Sequence, residues 1–565
     1  MKMNGAQVVI ASLKKENVEV VFGYPGGTVL SLYDKLYEAK FPHILTGHEQ
    51  GAVHAADGYA RSTGRVGVCF ATSGPGICNM VSGIATANMD SIPMVVISGQ
   101  VATNLIGRDS FQEADISGIT TPITKHNFLV KDVQELPRVL KEAFYIASTG
   151  RPGPVLVDIA KDVFDKEVDY VYPETVHLRG YSGVNIGHTA DIAVAVAALA
   201  EAKKPVLLTG GGVILSDTSA MLRQITAKLG IPVVTTLMGK GAVPDTEATH
   251  LGMVGMHGSY AANMAVTNCD LLLAIGARFD DRVTGDVENF APHAKIVHFD
   301  IDKVEINKIV HADISVNGDL RWSLPLFAQE IMSSSTNFAA NYQPWRAEVE
   351  KMKAEHPFRN RQLPEQVSPQ QIFAAVSKCV PQDAIIVTDV GQHQMWTAQF
   401  FNIDNPRSFI TSGGLGTMGF GLPAAMGAKV AHPDKTVVLF TGDGSIMMNV
   451  QEFATLAKYG IEVKVIVLHN TVLGMVHQWQ QLFYQEHYSQ SVLKDNPNLP
   501  AISTAMGVQG FTVHKPAELE EGLNKLFAQQ GSALLDVFIP EDEGVYPMVP
   551  GGKRLDEMIL GDEKK

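Results

Sequence analysis

Thr441-Gly442-Asp443-Gly444-Ser445 ends one apolar run, and His469-Asn470, separated from Gly444 by 24 residues, ends the next. Residues 436–440 and 463–468 read as buried strands, and the segment between them as a helix that stops near Gly460. Asn449 and Glu452 have the spacing of a capping box for that helix. Strand, helix and strand in that order make a β-α-β unit, which puts Asp443 and Asn470 at the carboxyl ends of its strands. Open α/β sheets bind ligands there. Both side chains are hard oxygen donors of the kind Mg²⁺ prefers, and Mg²⁺ usually shares its shell with phosphates. The pair predicts a magnesium ion holding a diphosphate; a plain strand-end turn is the bland alternative.

The rest of the chain repeats that alternation, so the expected fold class is α/β, with mostly parallel sheets flanked by helices. At 565 residues it is too long for one core. Three blocks separate. The first, residues 1–170, carries strands at 18–23, 66–71, 94–99 and 155–159, with an amphipathic helix before them. A poorly patterned stretch follows at 171–188. The second block, 189–332, carries strands at 206–209, 233–235, 271–275 and 296–299. Residues 333–367 are polar with helical patches and read as a linker. The third block, 368–550, carries strands at 384–388, 437–440, 463–468 and 534–538, and a charged tail follows at 551–565. Blocks one and three match in size and strand rhythm, as related folds would.

Several function classes drop out. A net charge of −14 without a basic run argues against a nucleic-acid surface. No apolar run approaches the length of a membrane span, and the amino terminus lacks the order of a signal peptide. Cys69, Cys78, Cys269 and Cys379 have no metal spacing, which suits a reducing compartment. A cytoplasmic enzyme is expected.

Four further constellations carry chemistry. Thr46-Gly47-His48-Glu49-Gln50 sets a carboxylate at a strand-to-helix junction, either as a cap or as a working group; His54 is at the wrong spacing for an HExxH zinc site. Thr72-Ser73-Gly74-Pro75-Gly76, followed by Asn79, reads as an anion-binding loop opening a helix or as a tight turn. Gly413 to Gly421 contains GxGxxG but no strand with an acidic ribose contact at the required spacing. It reads as backbone that a ligand approaches closely. The middle block ends its strands in Gly210-Gly211-Gly212, Gly255-Met256-His257-Gly258, Gly276 to Arg282 and Asp300-Ile301-Asp302, which suggests an extended nucleotide across the sheet, or a sheet that has lost one.

Together these motifs resemble the thiamine-diphosphate-dependent decarboxylases, and most closely the large catalytic subunits of acetolactate synthase (acetohydroxyacid synthase). GYPGG at 23–27, GHEQ at 47–50, SGPG at 73–76, FQE at 111–113, RPGPV at 151–155, ARFDDR at 277–282, GQHQMW at 391–396, GGLGTMGFG at 413–421 and LGMVHQWQ at 473–480 follow the family's order. Two positions depart from its pattern. His469 stands where asparagine is common, and Ala160 precedes Lys161-Asp162 where proline is usual.

The resemblance implies a pyrimidine-binding domain at 1–170, a central FAD-binding domain at 189–332 and a diphosphate- and Mg²⁺-binding domain at 368–550. Asp443, Asn470 and the Val472 carbonyl would ligate Mg²⁺. Gln392, His393, Gly413, Gly414, Gly444, Ser445 and Met475 would line the cofactor, and Met418 would wedge beneath it. Glu49 would hydrogen-bond the aminopyrimidine and share its proton, which a carboxylate in a desolvated pocket suits. Gln112 and Phe111 would lie near the reacting centre, with Lys161 at its entrance. Arg282 would hold the carboxylate of a second 2-oxoacid, for which its planar fork is suited, and Trp479 would select 2-oxobutyrate over pyruvate. FAD would be held by Arg151, Gly211, Gly212, Met256 and His257. Gly276, Arg278, Asp300, Ile301 and Asp319 complete that set. The implied activity is pyruvate decarboxylation and transfer of the hydroxyethyl unit to a second 2-oxoacid, in branched-chain amino acid biosynthesis. The implied assembly is a homodimer or homotetramer with a separate small regulatory subunit. Arg282 and Trp479 favour this over a pyruvate oxidase or a simple 2-oxoacid decarboxylase using the same cofactor.

Overall fold

The computed structural model describes residues 1–561 apart from Val184, His188 and Gln362, so the ends of the stretches 171–188 and 551–565 fall outside the described residues. Among the described residues there are three six-stranded sheets, each wholly parallel, and one two-stranded antiparallel pair. The first sheet runs His43–Leu45, Val21–Gly23, Gly67–Ala71, Met94–Gln100, Pro154–Ala160, His126–Val130. The third runs Phe409–Ile410, Ile385–Thr388, Val437–Gly442, Lys464–His469, Ala533–Phe538, Gln509–Val513. Numbered along the chain within each sheet, both read 2-1-3-4-6-5. The middle sheet runs His250–Met253, Val233–Thr235, Pro205–Thr209, Leu271–Ile275, Lys295–Asp300, Ile314–Asn317, which reads 3-2-1-4-5-6. That is the doubly wound order whose crevice takes dinucleotides.

The inner strands are apolar on both faces because helices cover both; Met94–Gln100 and Pro154–Ala160 are buried at every position. The first and third blocks meet through two helices, Glu49–Thr63 and Gly421–Ala431. A Cβ on Gly58 would stand 2.1 Å from the Ala424 carbonyl oxygen, and one on Gly427 would stand 1.9 Å from that of Ala55. The two backbones touch because each helix has a glycine at the crossing.

Polar stretches between the blocks also carry structure. Lys2–Asn4 pairs with Glu167–Asp169 and so ties together the two ends of the first block. The stretch read as a linker contains the helix Gln343–Glu355, whose buried Trp345 donates its Nε1–H to the Pro205 carbonyl of the middle sheet at 3.1 Å. Past the third sheet the chain returns to the middle block, where Val549 and Leu555 are buried.

The capping box expected from Asn449 and Glu452 does not form. The helix is Glu452–Tyr459, with Gln451 in the cap position and no side-chain cap, although it does end at Gly460 in the left-handed conformation. Tertiary partners claim both side chains. Asn449 donates to the Gly419 carbonyl at 2.7 Å, and the Glu452 carboxylate accepts the Gly47 N–H at 3.1 Å.

Candidate functional site

Asp443 follows Val437–Gly442, and Asn470 follows Lys464–His469, its parallel neighbour. Gly391 and Gln392 follow Ile385–Thr388 on the other side, where the strand order reverses. A small cavity of about 80 Å³ opens there. Its lining includes Gln392, His393, Met418, Asp443, Gly444, Ser445, Asn470, Val472 and Met475. The first glycine of the GDG turn is required by packing: a Cβ on Gly442 would stand 2.9 Å from His393 Nδ1.

The chemistry of this cavity can be read from what its groups lack. Asn470 Nδ2 donates to Gln392 Oε1 at 3.0 Å, and its Oδ1 accepts the Val472 N–H at 3.3 Å. In that orientation Oδ1 also stands 2.9 Å from the Val472 carbonyl oxygen and 3.3 Å from Asp443 Oδ1. Turning the amide over would offer its nitrogen to those two oxygens, but would set its oxygen against Gln392 Oε1. The orientation that keeps the Gln392 bond gathers three oxygens around one point. A hard divalent cation is the partner that suits them. Among the described residues no group of three or more His, Cys, Asp or Glu is placed to hold a metal. A cation here would therefore depend on one carboxylate, on neutral oxygens and on phosphate. Burial pushes the Asp443 carboxyl up to about 6. His393 is buried, its Nε2 has no hydrogen-bond partner, and burial holds its imidazole down at about 3. Gln392 is already committed: its Nε2 donates to Gln478 Oε1 and to the Glu543 carbonyl, which leaves its backbone N–H, at the start of the helix Gln392–Phe400, for an anion.

A second cavity of about 890 Å³ joins all three blocks. Arg151, Gly211, Gly212, Met256, His257, Gly276, Arg278, Asp300, Ile301 and Asp319 all line it, and so do Gly413, Gly414, Met475, Arg282 and Trp479. Gly210 and Gly276 end the strands on either side of the middle sheet's switch point, and a Cβ on Gly210 would stand 2.1 Å from the Gly276 carbonyl oxygen. Arg151 crosses from the first block to pair with Glu305 at 2.7 Å and Asp302 at 3.2 Å. His257 is buried with no partner on Nδ1. At one end the Arg282 guanidinium lies 5.8 Å from the centre of the Trp479 ring, a cation–π contact.

Asp300 gives a test of this cavity that needs no ligand. Burial pushes its carboxyl up to about 7, above the unfolded value of about 3.9, so the folded protein holds that proton more tightly. The resulting stability is complete at low pH and is lost as pH rises through 7. Asp300→Asn keeps an acceptor for the Asp302 N–H and cannot ionise. The ligand-free variant should be more stable than the parent at pH 8, by up to ~4 kcal/mol. The gap should shrink toward pH 5. Equal melting temperatures at pH 8 would reject a strained carboxylate at this position.

Glu49 lines neither cavity. It is the first residue of its helix, but the cap is His48, whose ring accepts the Gln50 N–H. The carboxylate is therefore free of that duty, and its Oε2 accepts from Asn79 Nδ2 at 3.0 Å. The Thr72-to-Gly76 loop opens a helix, as expected. The helix it opens, Pro75–Cys78, is one turn long, and the anion beside it is Glu49, whose Oε1 lies 3.2 Å from where a Gly76 Cβ would be. Gln112 packs against Gly74 with a φ of 57°. Phe111 is 88% exposed, and Lys161 is exposed on the same block. The structure thus groups Glu49 and Gln112 on one block and Gln392, His393, Asp443 and Asn470 on another.

Sequence reasoning missed the groups that hold these loops. Asp389, fully buried, accepts the Gly419 N–H at 2.9 Å beside Met418. Asp90 accepts the N–H groups of Gly413 and Gly414 and pairs with Arg61. The close approach expected at the glycine-rich loop is made in part by this carboxylate. An acid at the end of a strand was the available signal for Asp389; Asp90 had none.

Family models described as thiamine pyrophosphate enzyme N-terminal TPP binding domain, central domain and C-terminal TPP binding domain match residues 3–119, 192–327 and 389–537. The acetolactate synthase large subunit of Haemophilus influenzae is 46% identical, over 99% of this chain and 98% of that protein. The isozyme 3 large subunit of Escherichia coli is 45% identical over 100% and 99%. A probable large subunit from Methanocaldococcus jannaschii is 47% identical over 99% and 95%.

Proposed function

Since this chain belongs to the thiamine pyrophosphate enzymes, within the family of acetolactate synthase large subunits, we propose that its two cavities divide the parts of one carboligation. The activity is thiamine-diphosphate-dependent acetolactate synthesis in branched-chain amino acid biosynthesis. Pyruvate is the donor, and a second pyruvate or 2-oxobutyrate the acceptor. Bound thiamine diphosphate supplies the electron sink for decarboxylation.

The chain's own residues do the rest. Asp443, Asn470 and the Val472 carbonyl hold Mg²⁺. His393, Ser445 and the backbone of Gln392 and Gly444 would take the diphosphate, with Met418, Gly413, Gly414 and Met475 lining the pocket around the cofactor. Glu49 would share its proton with a ring nitrogen of the aminopyrimidine and so favour the imino tautomer, whose exocyclic nitrogen is the base. Because Glu49 lines neither cavity of its own chain, it serves the diphosphate site of a second copy, so the working unit is at least a homodimer. Phe111, Gln112 and Lys161 come to the reacting centre with it. Arg282 binds the acceptor carboxylate, and Trp479 packs on the acceptor side chain. FAD occupies the middle-sheet end of the large cavity, along Arg151, Gly211, Gly212, Met256, His257, Gly276, Arg278, Asp300, Ile301 and Asp319. The net reaction transfers no electrons, so the flavin's role is structural. A separate small subunit regulates the enzyme, which works in the cytosol.

The observation that carries this reading is the gathering of the Asp443, Asn470 and Val472 oxygens beside the unpartnered Nε2 of His393. Its test is pyruvate turnover with and without Mg²⁺, thiamine diphosphate and FAD, with identification of the product. Acetolactate is expected; acetate or acetaldehyde in its place would overturn the reading. Trp479 gives a specificity test. With both acceptors present, Trp479→Leu should lower the preference for 2-oxobutyrate by ~10-fold or more, within the 1–3 kcal/mol that one methylene offers. An unaltered product ratio would reject that role.

A further inference from the structure

We propose that His469, anchored by Asp536, is a positioning residue for the cation site: its Nε2 holds one oxygen of Asp443 so that the other is presented to the metal. This rests on the reading of Asp443, Asn470 and Val472 as the metal ligands.

Asp443 divides its two oxygens. Oδ1 belongs to the oxygen cluster, 3.3 Å from Asn470 Oδ1. Oδ2 turns the other way, 3.6 Å from His469 Nε2, an ion-pair contact rather than a hydrogen bond, and 3.3 Å from Asn496 Nδ2. A carboxylate fixed through one oxygen keeps a single rotamer, so the cation meets an oriented ligand.

The histidine can serve as an anchor because it cannot swing. Its Nδ1 stands 2.9 and 3.1 Å from the two oxygens of Asp536. Its ring stacks on Phe538 at 4.2 Å, and Phe538 stacks on His514 at 4.5 Å. Strand pairing builds this arrangement. His469 is in register with Phe538 on the parallel neighbour, and Asp536, two residues earlier on that strand, faces the same side. Both His469 and Asp536 are buried.

The side chain's length matters. An asparagine amide at this position would end where the imidazole Nδ1 stands, so it could reach Asp536 but not Asp443. A glutamine amide would extend to where Nε2 stands. The histidine therefore adds an arm to Asp443 that a shorter side chain lacks.

The experiment titrates Mn²⁺ into the full-length protein with thiamine diphosphate and reads the free ion by electron paramagnetic resonance. His469→Asn should weaken Mn²⁺ binding ~10- to 100-fold, the usual effect of losing an outer partner of a metal ligand. His469→Gln should keep most of the affinity. Asp536→Asn, which releases the imidazole, should weaken binding in the same range and serves if His469→Asn does not fold. Parental affinity in His469→Asn, or equal losses in the asparagine and glutamine variants, would overturn the proposal. Asp443→Asn separates the two readings: if that variant binds Mn²⁺ like the parent, the metal-site assignment itself is wrong.

Discussion

Glu49→Ala is expected to bind thiamine diphosphate and to lose nearly all turnover. The two effects separate because the groups proposed to grip the diphosphate and those proposed to meet the pyrimidine lie on different blocks. Asp443, Asn470 and His393 are untouched by a change at Glu49. The carboxylate also has little structural duty, since His48 caps the helix. An acid in the first turn of a helix contributes only about 0.3–1 kcal/mol of stability. Loss of a positioned proton-sharing group lowers rates by about 10²- to 10⁴-fold. Glu49→Gln, which keeps the bond distance to Asn79 but cannot share the proton, should fall nearly as far. Acetolactate formation under saturating cofactor, with cofactor affinity from fluorescence quenching, checks both. Normal turnover in the alanine variant would reduce Glu49 to a helix-end charge.

Legibility followed the physics of burial. The strands marked by apolar runs are the inner strands of the three sheets. The six that the runs did not mark are the two edges of each: His43–Leu45 and His126–Val130, His250–Met253 and Ile314–Asn317, Phe409–Ile410 and Gln509–Val513. An edge strand has a neighbour on one side only and is partly open to water. Gln509–Val513 and His126–Val130 each have one buried residue in five. Such segments do not need an apolar run and do not show one. His250–Met253 differs, being mostly buried but only four residues long. The matching strand rhythm of blocks one and three did carry information, since the two sheets share one topology.

The lining of the small cavity was legible where it is written into consecutive residues at a strand end, as in Gly442-Asp443-Gly444; Gln392-His393, which lines the same cavity, came from the family resemblance. The site was not legible where the partner is remote. Glu452 meets Gly47 across 405 residues and Asp90 meets Gly414 across 324, and no local pattern records either bond. The failed capping box is the same effect in reverse. Its spacing was right, but a buried carboxylate facing unpaired backbone N–H groups gains more from them than from a solvated helix end.

Asp443→Asn should have effects of opposite sign on stability and on cofactor binding. Asp443 is 1% exposed, and its ion-pair contact with His469 Nε2, at 3.6 Å, is longer than a hydrogen bond. Burial raises its carboxyl to about 6, so at neutral pH the folded chain holds an unwelcome charge. A neutral amide of the same shape removes that strain, and the ligand-free variant should melt no lower than the parent. Binding responds the other way. A divalent cation and a diphosphate would bring strong opposite charges into a water-poor cavity, and Asp443 would be the anionic ligand among the three proposed. Removing one partner of such a buried set costs about 3–5 kcal/mol, so Mg²⁺-dependent affinity for thiamine diphosphate should fall by ~10²- to 10⁴-fold, and turnover with it. Calorimetric titration of thiamine diphosphate with and without Mg²⁺, beside thermal melting of the ligand-free protein, reads both signs. Parental binding in the variant would show that the gathered oxygens do not hold a cation. A lower melting temperature would show that the carboxylate supports the fold rather than being tolerated for its ligand.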